Sequence, residues 1–282
     1  MHNSIYIFGL GMMGGSLAKA IKHKKLSKKI YGYDVNKKSL LYAKKSKIIN
    51  DYDDGNFNYL SSADLIIICA PISAYKMILK TISNYKKSNA VITDIGSARV
   101  NVESLVKKTL NNHADNFIGS HPLTGKETSS IKSSDRNIFN QELVLVTPSK
   151  LSKKILITKI SRFWKSLGCN ISIINAKTHD VILSQTSHLP HLVSFALVNI
   201  ILSKKSINIK DYTGGGFKDF ARLAHSDPLM WKDICANNNI NIVSSIDMLI
   251  KELITIKSKI KNNKHNSLYT YFKNIKIKLD KK

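Results

Sequence analysis

Six residues near the N-terminus constrain this chain more than any other feature. Gly9-Leu10-Gly11-Met12-Met13-Gly14 stands directly behind the apolar run Ser4-Ile5-Tyr6-Ile7-Phe8 and ahead of a helical pattern, Gly15-Ser16-Leu17-Ala18-Lys19-Ala20-Ile21. A G-x-G-x-x-G between strand and helix lets the chain turn tightly, approach a pyrophosphate with its backbone and pack helix on strand, while the helix N-terminus faces the negative charge. The next strand-like run ends at Asp34, 20 residues beyond Gly14, where a carboxylate can accept from a ribose 2′-hydroxyl and would repel a 2′-phosphate. The pattern predicts a Rossmann-type NAD-binding domain, with Gly9, Leu10, Gly11, Met12, Met13, Gly14 and Asp34 as cofactor contacts.

The first half continues in kind. Strand-length apolar runs at residues 5–8, 30–33, 65–69, 90–93, 117–119, 143–146 and 171–174 alternate with helical patterns, the signature of an α/β parallel sheet. From about Ala176 the strand punctuation stops and the chain reads as helical, so the expected division is a dinucleotide-binding domain over 1–174 and an all-helical domain over 175–282. Residues 192–202 are apolar almost all round, which predicts a helix buried on every side, in a core or against a second subunit. Gly214-Gly215-Gly216 interrupts the helices, Asp227-Pro228 supplies an N-cap and first-turn proline for the next one, and the Lys/Asn-rich tail after Lys257 reads as a frayed surface helix. No apolar run approaches the ~18–20 residues of a membrane span, and the N-terminal run is too short for a signal peptide.

Charge is the compositional extreme. Against 19 Asp+Glu stand 44 Lys+Arg, a formal net charge of +25, which invites a nucleic-acid or acidic-membrane partner. The lysines, however, are scattered as pairs through nearly every segment, and they accompany abundant Asn and Ile, residues that share A/T-rich codons. Compositional bias accounts for the surplus, and neither nucleic acid nor membrane is expected as a partner. Arginine occurs only at positions 99, 136, 162 and 222, so a surviving arginine can mark a place that needs a planar bidentate fork. Cys69, Cys169 and Cys235 are odd in number and widely spaced, which suggests neither a disulfide framework nor a zinc site and fits a reducing cytoplasm.

Three segments hold more polar residues than a core requires. Thr93-Asp94-Ile95-Gly96-Ser97-Ala98-Arg99 places Ser97 at a strand-to-helix junction, either as a helix cap or as a site residue. Gly119-Ser120-His121-Pro122-Leu123-Thr124-Gly125-Lys126-Glu127 brings His121 to the same sheet edge, where a structural histidine and a catalytic one are both open readings. The third is split between Ser187-His188-Leu189-Pro190-His191 and Gly214 to Trp231. His188 and His191 have i,i+3 spacing but no third ligand signal, so no metal is expected. Arg222 sits among Phe217, Phe220 and Leu223 at core-type spacing, near a domain junction where a carboxylate would suit it.

Together these motifs resemble the prephenate dehydrogenase family, which includes arogenate and cyclohexadienyl dehydrogenases. G-L-G-M-M-G-G-S, D-I-G-S, G-S-H-P-L-T-G-K-E, S-H-L-P-H and G-G-G-F-K-D-F-A-R with S-D-P-L-M-W follow the family's order from Gly9 to about Trp231. The resemblance implies a Rossmann-type domain joined to a helical domain that forms a homodimer. It also implies NAD-dependent oxidation of prephenate to 4-hydroxyphenylpyruvate with loss of CO₂, in tyrosine biosynthesis. His121 would accept the proton of the ring 4-hydroxyl, and Ser97 would orient that histidine or the hydroxyl. Arg222 would hold a substrate carboxylate, with His188, Glu127 and Trp231 lining the pocket. The chain departs from the family at Arg99, often Lys, at Ala221, often Thr, and at Ser130, where a glycine is usual and the loop after Glu127 is affected. No fused chorismate mutase or ACT regulatory domain is expected. Competing readings are arogenate as substrate, another Rossmann-plus-helical dehydrogenase such as a pyrroline-carboxylate reductase or β-hydroxyacid dehydrogenase, and a basic NAD-sensing or polyanion-binding protein without turnover.

Overall fold

The computed structural model describes residues 2–203 and 214–281. Its framework is one eight-stranded sheet in the order β3-β2-β1-β4-β5-β6-β7-β8, formed by β1 (His2–Phe8), β2 (Ser27–Tyr33), β3 (Asp51–Tyr52), β4 (Leu65–Ile68), β5 (Val91–Asp94), β6 (Phe117–Pro122), β7 (Leu143–Thr147) and β8 (Asn170–Ile173). All seven runs read from the sequence are strands. The two-residue β3 was missed, because so short an edge strand has no alternation of its own. Ile5, Ile7, Ile66, Ile67 and Ile68 are wholly buried, as expected of central strands covered on both faces. Separate apolar clusters fill the two faces, one around Leu17, Ile21, Phe139 and Trp164, the other around Tyr75, Leu79, Ile82 and Val102.

The connecting helices are α1 (Met12–His23), α2 (Lys37–Lys45), α3 (Tyr75–Tyr85), α4 (Val100–Leu110) and α5 (Lys154–Ser166). Strand order steps outward from β1 on both sides, which opens a crevice at the carboxyl ends of β1 and β4, the usual ligand position in a doubly wound sheet. One pairing departs from the expected parallel sheet: β7 runs antiparallel to β6, with His121 opposite Leu145. This pairing carries β6 through His121 and Pro122, so His121 lies within a strand rather than after one.

Beyond β8 the described residues are helical: α6 (Ala176–Leu183), α7 (Leu189–Leu202), α8 (Gly215–Ala224), α9 (Pro228–Asn237), α10 (Asn239–Lys261) and α11 (His265–Asp280). Asp227 caps α9, accepting from Leu229 and Met230 N–H at 2.9 and 3.0 Å. The basic tail is helical rather than frayed, as the end of α10 to Lys261 and, after a short turn, α11 through Asp280. Between α6 and α7 the helix does not stop but widens into one π turn over Ser184–His188, a departure from 3.6-residue winding that tends to mark functional sites. The resulting stretch Ala176–Leu202 has 27 residues and contains an 18-residue window of mean hydropathy 1.2, long and apolar enough by length and composition to cross a membrane. Scanning for uninterrupted apolar runs overlooked it, since His179, Asp180, Ser184 and His188 lie within it and are buried.

Two readings of the helical half need correction within the single chain. Only Ser194 of α7 is buried, so this apolar helix is not enclosed on every side by its own chain. Among the described residues none of α8 is buried, although Phe217, Phe220 and Leu223 have core-type spacing. By compactness the chain forms two units, Met1–Asn239 and Ile240–Lys282, so the helices up to Asn239 cluster with the sheet.

Candidate active site

The glycine-rich turn leaves β1 at Gly9, whose φ of +88° places it in the left-handed region where a side chain is strained. A Cβ on Gly14 would stand 1.9 Å from the Gly9 carbonyl oxygen, so helix and turn can approach this closely only without side chains. Asp34 ends its strand beside the turn: Oδ2 accepts from the Leu10 N–H at 2.6 Å and Oδ1 from the Asn36 N–H at 2.7 Å. Leu10 itself is buried, and its N–H is committed to Asp34. The Met12 N–H donates to the Ser129 carbonyl at 2.9 Å, while the Met13 and Gly14 N–H groups lie in the first turn, which has no intrahelical acceptors. A side-chain-free cradle, a helix N-terminus and a carboxylate at the end of β2 fit the pyrophosphate and ribose of NAD. The loop folded onto this turn accommodates Ser130 at φ −70°, with its side chain accepting from the Lys132 N–H, so the position does not require glycine.

The D-I-G-S segment is organised from beneath by a buried ion pair. The Arg99 fork reaches Asp94 with Nη1 at 2.5 Å and Nη2 at 2.9 Å, and its Nε donates to Thr147 Oγ1 at 3.0 Å. Asp94 also accepts from the Tyr75 hydroxyl, Gly96 N–H and Ser120 N–H at 2.9, 3.1 and 3.2 Å. Burial opposes the guanidinium charge, but Asp94 outweighs it and holds the Arg99 pKa above its usual value. One carboxylate thus ties together the end of β5, the start of α4 and the residue preceding His121. This arginine is the bidentate fork that its rarity suggested; Arg136 and Arg162 are exposed.

His121 is 9% exposed and bonds through Nδ1 to His179 Nε2 at 2.8 Å, and His179 Nδ1 lies 2.8 Å from Asp180 Oδ1. Burial, and then the nearness of His179, Arg99 and His188, holds the His121 pKa well below the usual imidazole range. Burial likewise lowers that of His179, against the pull of Asp180. Both rings are therefore neutral near pH 7. The sequence reading missed His179, Asp180 and the hub role of Asp94. The signal for the first two was slight, a His-Asp dipeptide in a first helical turn, with its partner 58 residues away.

The π turn delivers His188, which is buried, to the same region. Its Nδ1 lies 3.2 Å from Asn238 Nδ2, which also donates to the Asp180 carbonyl. Burial, followed by the nearness of His179, pushes its pKa down to about 4. The ring is neutral with its proton on Nε2, which makes no close hydrogen bond among the described residues and is turned toward the Ser97 backbone. Trp231 packs against His191 at 4.5 Å and edge-on to His188 at 6.0 Å, and its buried Nε1–H is likewise unpartnered among the described residues. His191 bonds to the Ser187 carbonyl. Ser97 is half-buried at the junction ahead of α4, and its backbone faces the His188 ring. Arg222 and Glu127 meet each other at 3.0 Å on the surface, with side chains 64% and 38% exposed. Thus Ser97, His121, His188 and Trp231 surround or adjoin the buried imidazoles, while Arg222 and Glu127 form a separate exposed pair in the single chain.

Comparison with known proteins agrees with the fold and with the motifs. The profile of the prephenate dehydrogenase nucleotide-binding domain matches residues 17–173, and that of the prephenate dehydrogenase dimerization domain matches residues 175–274. A prephenate dehydrogenase of Bacillus subtilis is 28% identical over 279 residues, covering 98% of this chain and 75% of its own. A cyclohexadienyl dehydrogenase of Zymomonas mobilis is 29% identical over 272 residues, covering 95% and 92%. The crystal structure of prephenate dehydrogenase from A. aeolicus in complex with hydroxyphenyl propionate and NAD⁺ superimposes with a TM-score of 0.92 at 33% identity, covering 98% of this chain and 96% of that one.

Proposed function

The chain belongs to the prephenate dehydrogenase family, and from that premise we propose that it oxidises prephenate to 4-hydroxyphenylpyruvate with His121 as proton acceptor. It is an NAD-dependent oxidoreductase. NAD, when bound, supplies the hydride acceptor, held by the Gly9–Gly14 turn and Asp34. His121 Nε2 takes the proton of the ring hydroxyl as hydride leaves the same carbon. The ring carboxylate then departs as CO₂, the electron pair of the broken C–C bond restores the aromatic ring, and the phenolic oxygen recovers the proton from Nε2. A neutral buried imidazole has the unprotonated nitrogen this step needs at neutral pH.

The observation that carries the reading is the buried Trp231 Nε1–H, which has no partner among the described residues and lies beside the buried, neutral His188 ring. Buried donors are rarely left unmade, and one next to the cluster of neutral imidazoles suits an anionic substrate. Because His121 Nδ1 is already bonded to His179, Ser97 is assigned to the substrate hydroxyl rather than to the imidazole. Arg222 is assigned to a substrate carboxylate, for which it would exchange Glu127. The half-exposed apolar surface of α7 supports a homodimer through the helical domain, and the profile boundary between 173 and 175 supports division into 1–174 and 175–282. Three unpaired cysteines suit the cytoplasm.

The similarity to a cyclohexadienyl dehydrogenase favours arogenate as the second reading. The test is the purified chain with NAD and either prephenate or arogenate, followed by absorbance of the reduced cofactor. Turnover of prephenate, and a fall of at least about 100-fold in kcat for His121→Asn, are expected. Turnover of arogenate alone selects the second reading, and near-normal turnover by His121→Asn removes the catalytic assignment.

A further inference from the structure

The bond from His121 does not end at His179. Asp180 Oδ1 accepts from the Arg99 N–H at 2.8 Å and Oδ2 from the Val100 N–H at 2.9 Å, so this carboxylate is held as an acceptor on both oxygens. His179 and Asp180 are 0% and 1% exposed, and no water-facing alternative competes for either. A nitrogen 2.8 Å from such an oxygen must carry a proton, which fixes the hydrogen of neutral His179 on Nδ1. Its Nε2 is then a bare acceptor. The partner atom, His121 Nδ1, must donate to it, and the single proton of neutral His121 is thereby placed on Nδ1. What remains on His121 is an unprotonated Nε2.

We propose that His179 and Asp180 are positioning residues for the reaction, a buried chain that locks His121 in the one neutral tautomer able to accept a proton at Nε2. This rests on the reading of His121 as the proton acceptor. The chain also serves the charged state. When the hydroxyl proton arrives at Nε2, His121 becomes an imidazolium, its Nδ1–H bond to His179 becomes charge-assisted, and Asp180 stands beyond with opposite charge. No proton need move to Asp180, because the one gained at Nε2 returns to the phenolic oxygen after CO₂ leaves. The other charged or titratable groups near the ring are His188, held neutral, and Arg99, whose fork is occupied by Asp94.

The test uses His179 rather than Asp180, whose carboxylate also holds the start of α4. His179→Leu removes the acceptor; His179→Gln keeps an amide oxygen able to accept from His121 Nδ1–H. For the full-length enzyme with NAD and prephenate, His179→Leu should lower kcat by about 100-fold or more, within the range of general-base contributions, with KM changed less than about threefold. His179→Gln should recover at least about tenfold of that loss. Nitrogen-15 NMR of histidine-labelled wild type should show His121 protonated at Nδ1, and this signature should be kept in His179→Gln and lost in His179→Leu. A wild-type His121 protonated at Nε2, a His179→Leu enzyme within about threefold of normal kcat, or two folded variants equally impaired would overturn the proposal. The wild-type NMR result decides it even if both variants fail to fold. The underlying reading fails separately: an active His121→Asn enzyme removes the base, whereas an inactive one beside an active His179→Leu removes only the chain.

Discussion

Replacing Arg99 by methionine would strip the guanidinium from Asp94 and Thr147 while keeping much of the side-chain volume. Asp94 would still accept from Tyr75, Gly96 and Ser120, so its charge would be solvated by three donors even without its ionic partner. The expected loss is therefore near the lower end of the about 3–5 kcal/mol that follows removal of one member of a buried pair. Asp94→Leu is the harsher change. It orphans the same three donors, at about 1–3 kcal/mol each, and leaves the guanidinium unpaired, so a loss above about 6 kcal/mol is expected, comparable to the whole stability of many domains. Urea unfolding followed by circular dichroism at one fixed protein concentration measures both. Arg99→Met should stay folded with a lowered midpoint and a reduced kcat, since the Ser120 N–H anchor next to His121 loosens. Asp94→Leu should be largely unfolded without denaturant. Equal costs for the two variants, or less than about 1 kcal/mol for Arg99→Met, would refute the view that the carboxylate is the hub and the arginine one of its spokes.

Arg222→Ala should raise KM for prephenate with little change in kcat, and should leave the urea midpoint almost unmoved, because an exposed pair such as Arg222–Glu127 contributes about 0–1 kcal/mol; an unchanged KM argues against the carboxylate role. Stability should also fall in acid. Burial holds His188 at about 4 and His121 well below its usual range, while both titrate near 6.5 in the unfolded chain. Between about pH 6.5 and 4 the unfolded chain binds more protons, so their contribution is complete above about pH 7 and is lost downward at up to about 1.4 kcal/mol per pH unit for each. Urea midpoints that do not move between pH 7 and 5 would contradict this.

What could be read from the sequence was what local pattern determines. The apolar runs that became β1, β2 and β4 to β8, the Gly9–Gly14 turn and Asp34 all announce themselves within about 25 residues, because strand burial and a tight turn impose residue types on neighbours. Placing His121 at the carboxyl edge needed only the strand before it. Its partners did not follow, since His179 meets it from 58 residues away and nothing in the Thr178-His179-Asp180 string specifies that meeting. The antiparallel β7 was hidden for a similar reason: strand direction depends on the path of the connection, whereas the run Leu143-Val144-Leu145-Val146 looks the same either way. The spacing of Phe217, Phe220 and Leu223 showed that α8 has an apolar face, without showing what covers it. Scarcity of arginine was informative at Arg99, where a fork is buried, and silent at Arg136 and Arg162.

The π turn at Ser184–His188 sets a phase. Each residue advances an α-helix by about 100°, and a π turn absorbs one residue more than regular winding would. Upstream of it, His179 and Asp180 present their side chains to His121 and the start of α4; downstream lie His191 and the apolar length of α7. Were the same residues wound as plain α-helix, everything beyond would swing by about 100° relative to His179, whereas removing one residue, such as the exposed Gln185, would let Ala176–Leu202 run as plain α-helix with its two halves still in phase. The polar half and the apolar half of this helix are thus clocked against each other by a single surplus residue. Gln185 should tolerate substitution by Ala with nearly full turnover, whereas inserting one Ala beside it, which advances the downstream half by about 100°, should abolish turnover.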